Sequence, residues 1–542
     1  MTAVPALDPA RSPADVVFDY HARTKHSLKR YAAGPETLDW DAQPNPFREF
    51  VGAPRTQLPL NADQIATSLA QIYSPRDVAP APLTTASVST LLGLSMGLSA
   101  WKEFGPDRWA LRCNPSSGNL HPTEAYVISS GVSGLDDGLY HYVSRDHALE
   151  QRWRKSTTAA APAHLWIGLS SVHWREAWKY GERAFRYCQL DIGHALGAIR
   201  YAAGTLGWSA KVADHLDSVA LAAMMGLDRA EDFSGAEPED PELLIEIDLD
   251  PAARSGRENV TQETSRPESG HWAGSANLLD PHPIYRWPVI DEVSLATHGR
   301  AGSNRGAPLG YPPLGHGSDA LAANIILGRR SAQRFDNKHT MSAEVFYRLL
   351  DTLLARPIAP WDVWEFPPCL HPILFVHRVE GLEPGLYALP RNAKAAQHLR
   401  EMLRPDFLWQ TPQTSPSHLP FSKLLPADSR AVARTVSCHQ AIASDSCFAL
   451  SMLSEFEPIV APNPWRYRQL HWEAGLLGHV LYLEAEAAGL RGTGIGCYFD
   501  DALHETLGLT SLQFQALYHF TVGRPLTDTR ITTLPAYPDR QP

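Results

Sequence analysis

The sequence has few cysteines, and none of them forms a closely spaced pair. Its 542 residues contain six cysteines, with no C-x-x-C arrangement among them. Structural zinc sites and redox dithiols commonly use that spacing. We therefore expect reduced thiols and no metal site. The six are Cys113, Cys188, Cys369, Cys438, Cys447 and Cys497.

The chain also lacks a basic excess, a secretion signal and a long apolar run. It has 48 Lys and Arg residues against 59 Asp and Glu, a formal net charge of -11, so it offers no cationic field to a nucleic-acid backbone. Residues 1–10 contain neither the charged nor the apolar region of a signal peptide, and no apolar stretch approaches the roughly 20 residues that span a bilayer. We expect a cytoplasmic protein that binds neither nucleic acid nor membrane.

A change in composition divides the chain into parts. Its length exceeds that of an ordinary single hydrophobic core, so two domains are expected. Ser, Gly, Pro and Asn accumulate between the periodic apolar regions, which predicts a first domain at 1–250, a connector at 251–318 and a second domain at 319–542. The apolar spacing of residues 284–298 predicts a short helix, so we expect the connector to pack on a domain.

Three segments recur in the same order on both sides of the connector, which predicts an internal duplication. Residues 20–31 (YHARTKHSLKRY) resemble 327–335 (LGRRSAQRF), each a basic cluster around a serine. Residues 121–142 resemble 371–389, each a strand, a Gly turn and a strand. Residues 185–211 resemble 467–496, each a long helix that ends near glycine. We expect an α+β domain and its copy.

Residues 115–122 (PSSGNLHP) form the strongest local signal for a ligand site. A loop this rich in small hydroxyls, amide and glycine can present several hydrogen-bonding groups to the edge of a heteroaromatic ring. The sequence alone is equally compatible with an ordinary turn before a strand.

Two further patterns suit a phosphate group. Arg329, Arg330, Ser331 and Arg334 combine guanidinium groups with a hydroxyl donor, although such runs more often form a solvated helix end. Residues 492–496 read G-x-G-x-G and follow a helix, whereas a dinucleotide fingerprint needs G-x-G-x-x-G between a strand and a helix. These glycines indicate close backbone approach to a ligand and do not indicate NAD.

Together these motifs resemble the nitroreductase superfamily. The segments PSSGNLHP, GRRSAQRF and GTGIGCYFDD carry the resemblance, while WKYGERAFRY at 178–187, Ala474-Gly475 and the HFTVGRP ending resemble its SagB/thiazoline-oxidase branch in a double-length form. The resemblance implies two fused nitroreductase-like domains that form an intramolecular pseudo-dimer. It also implies FMN bound between the domains.

The resemblance assigns site residues unequally to the two halves. The second half carries the phosphate set and the first half carries the ring loop, so one FMN per chain is expected. The mirror site has residues 23–27 for a phosphate but only Pro-Pro-Cys in place of the Ser-Ser-x-Asn loop. The residues assigned to the cofactor are Pro115, Ser116, Ser117, Asn119, Arg329, Arg330, Ser331, Arg334, Gly494, Ile495, Gly496 and Arg524 or Arg530.

The resemblance also implies a pair of catalytic residues. Azoline-oxidising relatives use a Lys-Tyr pair in proton abstraction, and Lys179-Tyr180 match it, although both residues equally suit a helix start and ordinary packing. We expect an FMN-dependent oxidoreductase that moves a hydride between flavin N5 and a small organic or peptide-derived substrate. Two alternatives are an NAD(P)H-dependent nitro or quinone reductase and a non-catalytic peptide-binding scaffold. The substrate, the electron donor, the reaction direction and the oligomeric state stay open.

Overall fold

A computed structural model describes residues 10–155, 162–251, 270–299 and 309–540, with the backbone alone at residue 75. Fifteen α-helices are formed within these ranges. Several begin at a residue whose side chain caps the first turn, as Ser12 does for the first helix and Thr84 for the third. The helices are α1 (Pro13–Arg23), α2 (Leu69–Ile72), α3 (Thr85–Ser95), α4 (His173–Tyr180), α5 (Ala184–Thr205), α6 (Ser218–Met225), α7 (Pro288–Ala296), α8 (Ala322–Gly328), α9 (Ala343–Thr352), α10 (Ala393–Met402), α11 (Arg430–Val436), α12 (Ala441–Asp445), α13 (Glu457–Val460), α14 (Arg466–Ala487) and α15 (Asp500–Leu507).

Nineteen strands lie in the same ranges. They are β1 (Phe50–Val51), β2 (Arg55–Gln57), β3 (Leu98–Phe104), β4 (Asp107–Arg112), β5 (Thr123–Ser130), β6 (Gly138–Val143), β7 (Ala148–Lys155), β8 (His164–Ser171), β9 (Ser209–Val212), β10 (Asp240–Asp248), β11 (Gly270–Trp272), β12 (Ser275–Ala276), β13 (Leu370–Val376), β14 (Gly385–Ala388), β15 (Ser422–Pro426), β16 (Phe448–Glu455), β17 (Arg491–Ile495), β18 (Phe514–Gly523) and β19 (Thr532–Leu534).

The two large antiparallel sheets have the same strand order. The first runs β11-β7-β6-β5-β8-β10-β9, with β2 also on β7, and the second runs β15-β14-β13-β16-β18-β17. Strands β5 to β10 therefore correspond, in chain order, to β13 to β18. The predicted matches of residues 121–142 with 371–389 and of 185–211 with 467–496 are confirmed. The chain is α+β, with two fused domains of the same sheet topology.

The long helices α5 and α14 cross at two glycines in the centre of the molecule. A Cβ on Gly193 would lie 2.2 Å from the carbonyl oxygen of Trp472, and one on Gly475 would lie 2.1 Å from that of Leu190. Both helices are 22 residues long and almost entirely buried. The missing side chains let the two backbones touch, so each half packs its central helix on that of the other. This crossing forms the intramolecular pseudo-dimer.

The first predicted repeat is wrong, because α8 has a different counterpart. The backbones that lead into α2 and α8 pair symmetrically, with Ser68 opposite Leu321. Leu69 N–H donates to the Ala320 carbonyl at 3.0 Å, and Ala322 N–H donates to the Thr67 carbonyl at 2.9 Å. Under this symmetry α2 corresponds to α8, whereas residues 20–31 begin in α1 and lie elsewhere. Since α2 has four residues, its pattern is too short to recognise from the sequence.

The described part of the connector packs against both halves: the Tyr311 hydroxyl donates to the Arg391 carbonyl of the second half at 3.0 Å, and two short strands join the first half. Strand β11 pairs with β7, and β12 pairs with β1. Helix α7 lies within the predicted helical stretch 284–298. Part of the connector lies outside the described residues, and the domain boundaries at 250 and 319 stay a prediction.

The end of the second half returns to the first half. Strand β19 pairs with β3, with Thr533 opposite Lys102. Beyond it, the Tyr537 hydroxyl donates to the Ser144 carbonyl at 3.0 Å. This return closes one side of the space between the halves. No helix in the described part of the chain has the length and apolarity that crossing a bilayer requires.

Candidate functional site

A cavity of about 490 Å³ lies between the two halves. Its volume falls in the range of roughly 300–1,000 Å³ that is usual for small-molecule sites. The first half contributes the loop 114–119 and part of α5, and the second contributes residues 329–333 and the β17 backbone. Among the sequence-predicted residues, the wall contains Pro115, Ser116, Ser117, Asn119, Tyr180, Arg329, Arg330, Ser331, Gly494, Ile495 and Gly496.

The loop at 115–121 is held by its own half. Gly118, Asn119 and His121 have φ angles of 59°, 60° and 55°, a left-handed conformation that glycine and asparagine tolerate best. The Asn119 side-chain amide donates to the Ala110 carbonyl at 2.9 Å, and His121 N–H donates to the Ser116 hydroxyl at 2.9 Å. The loop is thus fixed before any ligand arrives.

Asp191 anchors this loop, and it was not predicted from the sequence. Its carboxylate accepts from the Ser117 N–H at 2.9 Å and from the Ser117 hydroxyl at 2.9 Å. Burial raises the pKa of Asp191 to about 7, against the hydrogen bonds from Ser116 and Ser117 that lower it. The neighbouring Glu176 is fully buried, and neither of its oxygens has a hydrogen-bond partner in the structure. Burial, and then the charge of Asp191, raises the pKa of Glu176 well above its ordinary value.

The opposite end of the cavity is cationic. Arg329 donates to the carbonyls of Cys113 and Arg112 at 3.3 and 3.1 Å, and Arg330 donates to the Ser99 hydroxyl at 3.2 Å. Within the described residues, no carboxylate oxygen lies within 4.0 Å of either guanidinium. Burial lowers the pKa of both, that of Arg330 to about 10. Two poorly solvated cations without a carboxylate partner favour an anionic ligand.

Two further cations at this end were missed from the sequence. Lys102 lies on β3 and Arg491 at the start of β17, and both line the cavity. Lys102 donates to the Thr533 hydroxyl at 2.5 Å, while Arg491 lies 3.5 Å from Glu486. Burial lowers the pKa of Lys102, followed by the charge of Arg330. Only the pairing of β19 with β3 brings Lys102 here, so no local motif marks it.

Four predicted residues lie outside the cavity wall. The side chains of Arg334 and Arg524 are exposed and line other surface. Arg530 is exposed and forms an ion pair with Asp528 at 2.6 Å. Lys179 is half-buried behind the wall. A run of basic residues shows charge but not which side chain turns toward a site, which is why these assignments differ from the geometry.

Glycines make room for the cavity. A Cβ on Gly494 would lie 1.7 Å from the Tyr518 hydroxyl oxygen, and one on Gly496 would lie 2.1 Å from the Tyr187 ring. The wall also holds buried polar atoms with no partner in the structure, among them Asn114 Oδ1 and His194 Nδ1. Buried polar atoms are usually hydrogen-bonded, so these two are available to a ligand. The donors, the cations and the free polar atoms together suit an anionic molecule with a heteroaromatic ring.

Lys179 and Tyr180 stand behind the ring loop. The Tyr180 hydroxyl oxygen lies 2.5 Å, and Lys179 Nζ lies 3.2 Å, from where a Cβ on Gly118 would be. Lys179 Nζ is also 5.1 Å from the centre of the Trp40 ring. Burial lowers the pKa of Lys179, opposed by Glu176. Burial raises the pKa of Tyr180 well above its ordinary value. Burial thus weakens the preference of Lys179 for its charged form.

The position that the symmetry of the two halves relates to the cavity lacks the corresponding cations and loop residues. The segment 73–78 that follows α2 contains one arginine, whereas 329–334 after α8 contains three. The predicted basic cluster at 23–27 is neutralised, since Arg23 pairs with Glu182 at 2.5 Å and Lys25 pairs with Asp501 at 2.8 Å. Opposite it, Glu473 accepts from the backbone of Cys369, as Asp191 does from Ser117, but it also pairs with Arg391. The cations at this position are therefore paired with carboxylates, unlike Arg329 and Arg330.

A possible cation site elsewhere is already neutralised. His173, Asp240 and Glu242 place their ligand atoms within 4.8 Å of one another. Arg468 forms ion pairs with Asp240 at 2.7 Å and Glu242 at 2.6 Å. The arginine takes the place that a metal ion would need.

Comparison with known proteins identifies the fold. No family model matches the chain. A crystal structure of an Anabaena variabilis protein named as a nitroreductase superposes on 94% of this chain and 99% of its own, with a TM-score of 0.68 and 21% identity. The chain has the nitroreductase fold. The similarity spans both halves, so the double arrangement is present in that protein too.

Two relatives are similar to this chain in amino-acid sequence. A Methanocaldococcus jannaschii protein named as a nitroreductase is 26% identical over 145 residues, which are 25% of this chain and 70% of that protein. The trifolitoxin-processing protein TfxB of Rhizobium leguminosarum is 29% identical over 159 residues, which are 26% of this chain and 36% of that protein. The resemblance to the nitroreductase superfamily is confirmed, and these relatives support an oxidoreductase.

Proposed function

We propose that this protein is an FMN-dependent oxidoreductase that binds one FMN between its two halves. The observation that carries the proposal is the polarity of the cavity. Arg329 and Arg330 lie at one end without carboxylate partners among the described residues, and a hydrogen-bonding loop at 115–119 lies at the other. The arginines at the first end suit a phosphate, and the hydrogen-bonding loop at the second end suits the edge of a flavin ring.

Different residues would bind the phosphate and the ring of FMN. Arg329, Arg330 and Ser331 would hold the phosphate, with Lys102 and Arg491 adding positive charge. The loop at 115–119 and the backbone of Gly494 and Gly496 would surround the ring. Bound FMN supplies a two-electron acceptor at its N5 atom.

Within this class, we infer a dehydrogenase that acts on a peptide-derived azoline. The name of TfxB as a trifolitoxin-processing protein and the Lys179-Tyr180 pair support this choice. Aromatisation of a thiazoline removes a hydride and a proton. We assign Lys179 as the base that takes the proton, because it lies beside the loop at Gly118 and burial lowers its pKa. The Tyr180 hydroxyl lies next to Gly118 and orients the substrate beside the loop.

The test is anaerobic reduction of the bound flavin by a synthetic thiazoline peptide, followed by its absorbance. Lys179→Ala should slow this reduction by about 100-fold or more, since general-base catalysis contributes 10²–10⁴, while the flavin content stays unchanged. Lys211→Ala is the matched control, because Lys211 pairs with Glu365 at 2.6 Å outside the cavity wall. Equal rates for the two variants would contradict the base role of Lys179.

The same preparation separates the alternatives. Rapid bleaching by NADPH, followed by turnover of a nitro or quinone compound, would favour a reductase over the dehydrogenase. Colourless protein that takes up no FMN would favour a peptide-binding scaffold. The cationic end argues against the scaffold, because desolvating Arg329 and Arg330 costs free energy and neither forms an ion pair with a described carboxylate.

A further inference from the structure

Two cysteines that are distant in the sequence meet at the cavity. The Sγ atoms of Cys438 and Cys497 lie 2.7 Å apart. Cys497 follows the glycine run 492–496 directly and lines the cavity. Cys438 lies in the turn after α11, and both side chains are partly accessible to solvent. The absence of a C-x-x-C spacing therefore did not exclude a thiol pair.

His26 lies beside one of these sulfurs. Its Nδ1 accepts from the Ala32 N–H at 2.8 Å, so the proton of the neutral ring is on Nε2. Burial lowers the pKa of His26, and the neighbouring Cys497 opposes this. The hydrogen bond with Cys438 lowers the pKa of Cys497, and His26 and the charge of Arg183 lower it further against burial. His26 beside Cys497 favours that sulfur as the attacking thiolate.

Cys438 is placed as its partner. Hydrogen bonds with Cys497, together with burial, raise its pKa, so it keeps its proton. Contacts on both sides hold the two backbones together, since Phe499 N–H donates to the Val436 carbonyl at 2.8 Å and the Gln440 amide donates to the Cys497 carbonyl at 3.2 Å. The two sulfurs therefore meet without a rearrangement of the chain.

The other four cysteines lack this environment. Cys113, Cys188, Cys369 and Cys447 are buried, with at most 2% of their surface exposed. Burial raises the pKa of each thiol, that of Cys113 to about 12 and that of Cys447 to about 11. Reactive cysteines are accessible thiolates. Burial and raised pKa values therefore make these four thiols unreactive, in contrast to Cys438 and Cys497.

We propose that Cys438 and Cys497 form a redox-active thiol pair that exchanges with small-molecule disulfides at the wall of the cavity. The Cys497 thiolate attacks the S–S bond of oxidised glutathione, forms a mixed disulfide and releases one glutathione thiolate. Cys438 then gives up its proton, attacks the Cys497 sulfur and displaces the second glutathione. Two protein thiols are oxidised, and one small disulfide is reduced to two thiols. The resulting Cys438–Cys497 disulfide would join the turn at 438–440 to the segment 492–497 that lines the cavity.

The experiment uses the full chain, reduced with dithiothreitol and desalted without oxygen. After incubation with oxidised glutathione, free thiols are counted under denaturing conditions, and the peptides are mapped without reduction. We expect two of the six cysteines to disappear and a cross-link to join the peptides of Cys438 and Cys497. The measurement does not depend on bound flavin, so it can fail or succeed independently of the proposed function.

Variants identify the attacking sulfur. Cys438→Ser should trap one glutathione on Cys497, which dithiothreitol releases, and Cys497→Ser should react at least tenfold more slowly. Cys188→Ser is the matched control and should still form the cross-link. Six remaining thiols in the unmodified chain, or glutathione that stays on Cys497 without a cross-link, would overturn the proposal. The unmodified chain decides this even where a variant fails to fold.

Discussion

Asp191, in the middle of the central helix α5, accepts hydrogen bonds from both the N–H and the hydroxyl of Ser117. The symmetric helix α14 holds the backbone of Cys369 through Glu473 in the same way. Each half thus fixes the loop before its first large strand from its own central helix. Only in the first half does that loop carry the serines and the asparagine that line the cavity.

The Asp191 carboxyl should make stability depend on pH. Burial raises its pKa to about 7, whereas the ordinary value is about 3.9. Between these two pH values the folded chain binds more protons than the unfolded chain. The stabilisation of the fold by protonated Asp191 is therefore full below about pH 4 and is lost as the pH rises through 7. Asp191→Asn lacks this titrating group. Between pH 5 and pH 8, the free energy of unfolding of the unmodified protein should therefore fall by up to about 3 kcal/mol relative to that of Asp191→Asn.

The measurement is denaturant unfolding at both pH values. The exposed Asp63 provides the matched control as Asp63→Asn, which should show the same difference from the unmodified protein at pH 5 and pH 8. A pH-independent difference for Asp191→Asn would mean that its carboxyl is ionised throughout.

Arg330 should matter for FMN affinity and not for folding. Hydrogen bonds to charged groups contribute roughly 1.5–3 kcal/mol, so Arg330→Gln should weaken FMN binding about 10-fold to 100-fold in a fluorescence titration. Burial lowers the pKa of Arg330, and removing that poorly solvated charge should leave the free energy of unfolding of the apoprotein unchanged or higher.

Arg524→Gln is the comparison for this prediction. Arg524 was assigned to the phosphate from the sequence but lies outside the cavity wall, so we expect less than a threefold change in FMN affinity. A larger loss from Arg524→Gln than from Arg330→Gln would reverse our assignment of the anionic end.

Gly494 should tolerate no side chain. Its Cβ would lie 1.7 Å from the Tyr518 hydroxyl oxygen, which in turn lies 3.1 Å from His194 Nε2. Gly494→Ala must displace Tyr518, and overpacking of this kind costs roughly 1–3 kcal/mol. We expect lower thermal stability and at least tenfold weaker FMN binding.

Gly310→Ala is the control, because a Cβ there would meet nothing within 4 Å. It should match the unmodified protein in both measurements. Unchanged FMN binding by Gly494→Ala would show that this part of the β17 backbone does not approach the cofactor.

The sequence predicted local features well and distant ones poorly. The loop at 115–122 and the strand pairs were recognisable because their residues are contiguous and their turns have a characteristic composition. Asp191 and Lys102 were not, since each reaches the cavity through packing or strand pairing with distant segments. Arg334 and Arg524 have the right charge, but only the fold determines which side chains face inward. The pairing of Cys438 with Cys497 likewise depends on tertiary structure.

The mirror position shows a second limit. Residues 20–31 look like a copy of 327–335, yet α8 pairs symmetrically with the short helix α2, and the segment 73–78 that follows α2 contains one arginine where 329–334 contains three. The expectation that the mirror site is lost is therefore supported by different residues from those that suggested it.

The most direct test of the account is the flavin stoichiometry of the purified full chain. Flavin released by heat is identified by chromatography and compared with the protein concentration. The unequal equipment of the two halves predicts about one FMN per chain, and Arg330→Gln should lower this value. About two flavins per chain, or none after incubation with excess FMN, would contradict the account.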